Sequence, residues 1–326
     1  MATTLKDVAR ESGVAVETVS RVLNNRGYIS VRTRKKVYDA MESIGYRPNL
    51  VARTLSKGRA DIIAVIVPHI IHPYFTSMID EIEHVAAAED YQLLVYGSGG
   101  DALKEKKVLE ACENNLVAGA LIFSYNVNPS QMLEYHIPIV AIERYVEGGT
   151  SCVLCDNYQG GSLAAEHLIS KGCRNLLMVG NVENHIMPAN EREDGFLDAC
   201  HKAKVSGIIY KTSIPEYQTM EYHACLERMF QDNPEADGIF CCSDMIAAQA
   251  IQVCRKIGYD VPGRMKIVGF DDTVIASVTT PTITTIRQPI KEMARMAVDM
   301  ILKYNNKEKV PEKNIMNVEL VERETT

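Results

Sequence analysis

The chain has 326 residues, 46% of them hydrophobic and 24% charged, the balance of a globular protein of about two domains. No apolar run approaches the ~18 residues of a membrane span, and the opening segment is too polar for a signal peptide, so membrane and secreted readings drop out and a cytoplasmic protein is expected. The net charge of −7 argues against a nucleic-acid partner until it is divided: residues 1–60 hold twelve basic and five acidic groups, net +7, and the remainder carries −14.

The basic head reads as helical. Leu5, Val8 and Ala9 share one face, Thr4 and Asp7 have capping-box spacing, and Gly13 stands where that helix would stop. After a short turn, Val19, Val22 and Leu23 mark a second helix. Ser30 caps a third, with Val31, Val37, Met41 and Ile44 inward and Gly45 at its end. Helix, tight turn, helix is the helix-turn-helix arrangement. A generic three-helix bundle would explain the apolar spacing but not a second helix presenting Glu17, Thr18, Ser20, Arg21 and Asn24.

Residues 46–60 form a join punctuated by Pro48 and Gly58, in which Asn49 can cap a short helix over Leu50–Ser56. So short a helix is unstable alone in water and needs DNA or a second copy of itself.

Beyond Asp61 short apolar runs alternate with helical stretches. Strands are expected at Ile62–Val67, Gln92–Tyr96, Ala120–Phe123, Ile139–Ile142, Leu176–Val179, Ile208–Ile209, Ile239–Cys242 and Ile267–Val268. Helices are expected at Tyr74–Ala88, Leu103–Asn114, Gly161–Ser170, Arg192–Lys202, Thr219–Phe230 and Met245–Lys256. The pattern predicts an α/β body with parallel strands in two small sheets, whose ligand crevice lies beyond the strands' carboxyl ends.

The segments LKDVARESGVAVETVSRVLNN and TRKKVYDAMESIGYRPNLVARTLSKG resemble the DNA-binding head and hinge of the lactose/galactose/purine repressor (LacI-type) family. HPYF at 72–75, DNYQGG at 156–161, EREDGF at 191–196, SDMIAAQA at 243–250, IVGFDD at 267–272 and TTPTITTIRQP at 279–289 extend the resemblance over essentially the whole chain. It implies a helix-turn-helix head (residues 1–46), a hinge (47–60) and a core (61–326) of two interleaved lobes like those of periplasmic sugar-binding proteins. It also implies a homodimer on operator DNA that answers to a small sugar-like effector, the more so as no heptad-patterned tail follows the core to build a higher assembly.

In such a head the second helix enters the major groove. Arg21 suits a guanine, Val16 a thymine methyl and Glu17 a cytosine amino group, with Thr18 on the same helix. Thr4, Ser20, Asn24, Tyr46 and Asn49 suit phosphates. By the resemblance Leu55 is the minor-groove wedge, and Ala52 lets two hinge helices approach. Ala15 stands where the family usually has Ser or Thr, which removes a cap or phosphate contact.

In the core, Arg192 and Asp271 match the family's ligand-contacting pair and Ser243 a polar contact. Asp244, His72, Glu143 (where an aspartate is common) and Gln288 complete the polar set, while Tyr74, Phe75 and Tyr217 offer faces to a ring. A carboxylate and a guanidinium together can clamp vicinal hydroxyls.

Other signals are weak. Residues 97–102, Gly-Ser-Gly-Gly-Asp-Ala, approximate a dinucleotide turn but lack the acidic residue after the next strand. Cys152 and Cys155 form one CxxC without a second pair, and His69 and His72 have no third ligand nearby, so neither metal nor cofactor is expected. No nucleophile–base pair stands out, which argues against an enzyme. The reading is a sequence-specific regulator, a carbohydrate-operon repressor released by its effector. A regulator using a co-repressor or phosphocarrier partner and a solute-binding module are the alternatives.

Overall fold

A computed structural model describes residues 3–23, 27–47, 54, 59–123, 132, 134–144, 150–182 and 187–326. The chain divides into two compact units, residues 1–60 and 61–326.

The first unit contains α1 (Leu5–Ser12), α2 (Val16–Leu23) and α3 (Val31–Ser43). Thr4 and Asp7 pair reciprocally at the start of α1, the Thr4 N–H donating to the Asp7 carboxylate at 3.0 Å. Gly13 ends that helix at φ 68°, a left-handed conformation that costs glycine little. Ser30 accepts from the Thr33 N–H at 3.2 Å and starts α3. Val8, Ala9, Val19, Val22, Val37 and Ala40 close the small core. The expected hinge helix lies outside the described residues.

The second unit holds two six-stranded sheets. The first comprises β1 (Ile62–Val67), β2 (Gln92–Gly97), β3 (Gly119–Ile122), β4 (Ile139–Ile142) and β5 (Ser151–Cys155), joined much later in the chain by β11 (Lys313–Met316); its order is β11-β5-β4-β3-β1-β2, all parallel. The second comprises β6 (Asn175–Val182), β7 (Ser206–Thr212), β8 (Gly238–Cys241), β9 (Lys266–Asp271), β10 (Thr284–Arg287) and β12 (Glu319–Val321) in the order β12-β10-β9-β8-β6-β7. Only β12 runs antiparallel to its neighbour. Runs such as Ile62–Val67 are apolar at successive positions because both faces of a parallel sheet are covered by helices.

Those helices are α4 (Pro73–Ala88), α5 (Ala102–Asn114), α6 (Asn157–Ser170), α7 (Glu191–Ala203), α8 (Ile214–Thr219), α9 (His223–Asp232), α10 (Asp244–Ile257), α11 (Val274–Val278) and α12 (Ile290–Asn305). The chain crosses between the sheets three times, after β5, after β10 and after β11, so each lobe is discontinuous in sequence.

Two expectations change. The helix expected over Thr219–Phe230 is broken at Met220, which takes φ 56° between α8 and α9. Gln249 holds the break: its Nε2 donates to the Met220 carbonyl at 2.7 Å, and its Oε1 accepts from the Tyr222 N–H at 2.7 Å. The helix expected from Gly161 starts at Asn157 instead, capped by Asp156 accepting from the Gln159 N–H at 2.8 Å. The glycines of the DNYQGG and EREDGF segments have a packing reason. A Cβ on Gly161 would lie 1.9 Å from the Arg192 carbonyl oxygen, and one on Gly195 2.1 Å from that of Tyr158. Helices α6 and α7 therefore meet backbone to backbone.

Candidate DNA interface and ligand cleft

In the head, Val16, Glu17 and Arg21 are exposed on one side of α2, with Thr18 and Ser20 half-buried beside them. Val16 is 40% exposed, an apolar side chain left on the surface among the described residues of the head. The Arg21 guanidinium lies against Gly27, where a Cβ would meet it at 2.5 Å. Thr4 is exposed, its hydroxyl donating to Asp7 at 2.7 Å, whereas Tyr46 packs against the head's core. Asn24, Asn49, Ala52 and Leu55 lie outside the described residues.

In the core, a cavity of about 120 Å³ lies between the lobes, at the carboxyl ends of β4, β8 and β9 and the starts of α4, α7 and α10. Its walls include His72, Tyr74, Phe75, Glu143, Arg192, Tyr217, Ser243, Asp271 and Gln288. Asp244 is a correction. It is absent from the wall because its carboxylate is used within its own lobe, accepting from the Thr273 N–H at 2.7 Å, the Thr273 hydroxyl at 3.0 Å and the Thr285 hydroxyl at 2.6 Å.

Arg192 is the hub and is only 5% exposed. Its Nε donates to Asn157 Oδ1 at 2.7 Å, its Nη1 donates to the Cys242 carbonyl at 2.9 Å, and its guanidinium lies 3.5 Å from the centre of the Phe270 ring. Asn157 Nδ2 in turn donates to Glu143 Oε2 at 2.9 Å, while Glu143 Oε1 accepts from the Cys155 N–H at 2.5 Å. One bonded chain thus runs from the end of β4 in the first lobe, through the first residue of α6, to α7 in the second. On the facing side, Gln288 Nε2 donates to Asp271 Oδ1 at 2.7 Å.

Burial shapes the titration of these groups. Burial, and secondarily the charge of Asp244, raises the Asp271 carboxyl well above its usual range, against the pull of Arg192. Burial, with His69 beside it, drops His72 to about 4, so this histidine is neutral near pH 7. Its Nδ1 caps α4 by accepting from the Tyr74 N–H at 3.3 Å, which leaves the proton on Nε2. The Tyr74 hydroxyl and Gln288 Oε1 are buried without a hydrogen-bond partner. Tyr74, Phe75 and Phe123 meet edge to face at 5.3–6.4 Å and make one wall apolar. Across the mouth, the His69 ring of the first lobe meets Tyr217 of the second at 5.2 Å.

The sequence reading overlooks Phe123, Thr212, Tyr222 and Asn157. The last stands within the quoted DNYQGG segment, directly after a capping aspartate. The glycine turn at residues 97–102 offers no phosphate site, because Asp101 takes the amides of Leu103 and Lys104 for itself at 2.8 and 3.2 Å. The nine cysteines are buried free thiols, and burial pushes Cys242 up to about 12. Among the described residues no helix is long and apolar enough to cross a membrane.

A basic helix-turn-helix head with a two-lobed α/β core and a polar cavity between the lobes defines a ligand-responsive DNA-binding regulator. Residues 4–49 match the family described as bacterial regulatory proteins, lacI family, and residues 165–326 match the periplasmic binding protein-like domain. The sucrose operon repressor of Streptococcus mutans is 33% identical over 325 residues, covering the whole of both chains. A solved periplasmic binding protein/LacI transcriptional regulator from Alkaliphilus metalliredigens, complexed with D-xylulofuranose, is 30% identical over 82% of this chain and 99% of that one, with a TM-score of 0.74. The lac repressor dimer bound to operator and an anti-inducer shares the fold, with a TM-score of 0.85 over 100% of this chain and 99% of that one at 21% identity. The chain belongs to the lacI family of bacterial regulatory proteins.

Proposed function

We propose that the protein is a homodimeric repressor of a carbohydrate operon, binding double-stranded operator DNA through residues 1–46 and a hinge over 47–60. A small polyhydroxylated effector in the cleft of residues 61–326 sets its affinity for DNA. The observation that carries the reading is the cleft itself: a cavity between two lobes that holds unpartnered polar atoms of Tyr74 and Gln288, in a chain with a +7 helix-turn-helix head. The relatives, a sucrose operon repressor and a regulator complexed with a sugar, favour it.

Arg21, Val16 and Glu17 would read base edges, with Thr18 alongside, while Thr4, Ser20, Asn24, Tyr46 and Asn49 hold phosphates. Leu55 and Ala52 would serve the paired hinge, which needs two chains because one short helix does not persist alone. The effector changes DNA affinity only by the difference in its affinity for the two lobe arrangements.

The test is selection of bound fragments from a genomic library, followed by release with a sugar panel. A roughly two-fold symmetric sequence is expected, with affinity falling steeply as salt rises. Arg21→Ala should weaken binding by about 1–3 kcal/mol and relax base preference. Equal affinity for the selected sequence and random duplex would refute the assignment.

A further inference from the structure

We propose that the cleft selects an uncharged single-ring polyol, a monosaccharide without phosphate, over phosphorylated sugars, disaccharides and nucleobases. The proposal rests on the reading of the cleft as the effector site and gives its ligand a chemical class.

Charge comes first. Among the described residues of the wall Arg192 is the one formal cation, and it is already engaged by Asn157, the Cys242 carbonyl and the Phe270 ring. Glu143 faces the same space, burial favours the uncharged form of the Asp271 carboxyl beside it, and His72 is neutral near pH 7. A phosphate group brings about −1.5 to −2 charges and needs several cationic donors or open helix amides. Helix amides do not supply them here. His72 caps α4 and Ser243 caps α10, while α7 opens with Glu191, Glu193 and Asp194.

Hydrogen-bond accounting points the same way. One Nε2 hydrogen of Gln288 goes to Asp271, and its Oε1 is a buried acceptor with no partner. An ionised phosphate oxygen cannot donate to it, and a hydroxyl can. The unpartnered Tyr74 hydroxyl can both donate to and accept from a ligand hydroxyl, and the His72 Nε2–H can donate to one. The Tyr74–Phe75–Phe123 wall suits the C–H face of a sugar ring.

Size completes the argument. A cavity of about 120 Å³ is small beside the ~300–1,000 Å³ of drug-sized sites, which favours one ring over two.

The experiment is titration calorimetry on the full chain. The probes are D-fructose, D-ribose, D-xylulose and D-glucose, their terminal phosphate esters, sucrose and adenine. At least one neutral monosaccharide should bind once per chain, with its phosphate ester weaker by about 100-fold through like-charge opposition. A phosphate ester that binds as tightly as its parent sugar overturns the proposal. So does tighter binding of sucrose or adenine, and so does a panel in which no neutral monosaccharide binds at about 10 mM. Release from operator DNA is measured separately. A neutral sugar that binds without changing DNA affinity sinks the regulatory reading and leaves the selectivity standing, whereas a phosphate ester that both binds and releases DNA does the reverse.

Discussion

Replacing Tyr74 with Phe separates a ligand site from an ordinary core position, because the two predict effects of opposite sign. The side chain is 6% exposed and its hydroxyl has no hydrogen-bond partner. Burial raises its pKa well above 10, so the group stays a neutral phenol. Leaving such a hydroxyl buried and unpaired costs about 1–3 kcal/mol, so removing it should raise the stability of the ligand-free protein or leave it unchanged. The phenyl ring keeps its contacts with Phe75 at 5.3 Å and Phe123 at 6.4 Å. A gain of 1 kcal/mol would move Tm up by about 2–4 °C in a domain of this size. If an effector hydroxyl bonds Tyr74, the same change should weaken its binding by about 0.5–1.5 kcal/mol, roughly 2- to 13-fold. Scanning calorimetry without ligand and titration with the tightest monosaccharide give the two numbers. A lowered Tm together with unchanged affinity would show that the hydroxyl serves the fold and would refute the reasoning.

Arg192→Ala removes two charge-assisted bonds and a ring contact from a buried hub, and urea unfolding should show a loss of about 3–5 kcal/mol; unchanged stability would mean that the network carries no weight. Gly161→Ala should be worse tolerated than its size suggests, with a loss above ~3 kcal/mol or failure to accumulate, since the new methyl meets the Arg192 carbonyl at 1.9 Å. A stable, ligand-binding Gly161→Ala protein would contradict the backbone-to-backbone packing of α6 and α7. Burial pushes Asp244 up to about 7 from 3.8 in the unfolded chain, so its contribution is full below pH ~3.8 and is lost as pH rises through 7, a ceiling of about 4 kcal/mol. His72, depressed from 6.5 to about 4, contributes above pH 6.5 and loses that as pH falls, so the comparison is parent against Asp244→Asn between pH 8 and 6.5. The parent should gain more Tm over that interval than the variant, in which the raised Asp271 carboxyl still titrates; equal slopes would place the Asp244 titration elsewhere.

The parallel strands were legible because burial on both faces writes them as short apolar runs, and Ile62–Val67 and Ile139–Ile142 are found at the expected residues. Strand β10 was not legible. Thr284 and Thr285 are fully buried, yet they read as polar, because their hydroxyls are satisfied inside the lobe by the Arg323 carbonyl and Asp244. Edge strands β11 and β12 are short and half-exposed, and leave no apolar run to find. Helix α12 is different: Met293, Ala294, Ala297, Val298 and Ile301 do recur at helical spacing, a signal present in the sequence and left unassigned. In the cleft, motif residues identify most of the wall but not side-chain direction. Ser243 is the extended N-cap of α10 and Asp244 its first helical residue, and one lines the cavity while the other bonds the threonines of its own lobe.

The candidate site shares residues with the crossings between the two sheets of the core. Of the three crossings between the sheets, the first leads directly into Asn157 and the second contains Gln288. Asn157 bonds Glu143 of one lobe and Arg192 of the other, and Gln288 bonds Asp271. A ligand that engaged Arg192 and Gln288 would therefore act directly on the crossings that connect the two sheets, with no long relay through the core. The energetic demand is also of the right size. Turning a 1:99 population into 99:1 takes about 5.5 kcal/mol of differential binding. Net hydrogen bonds of about 1 kcal/mol each at Tyr74, Gln288 and His72, with one ring face covered by Phe75 and Phe123, approach that figure only if most of them form in a single lobe arrangement. The unpartnered atoms of the cleft are where that difference has to arise.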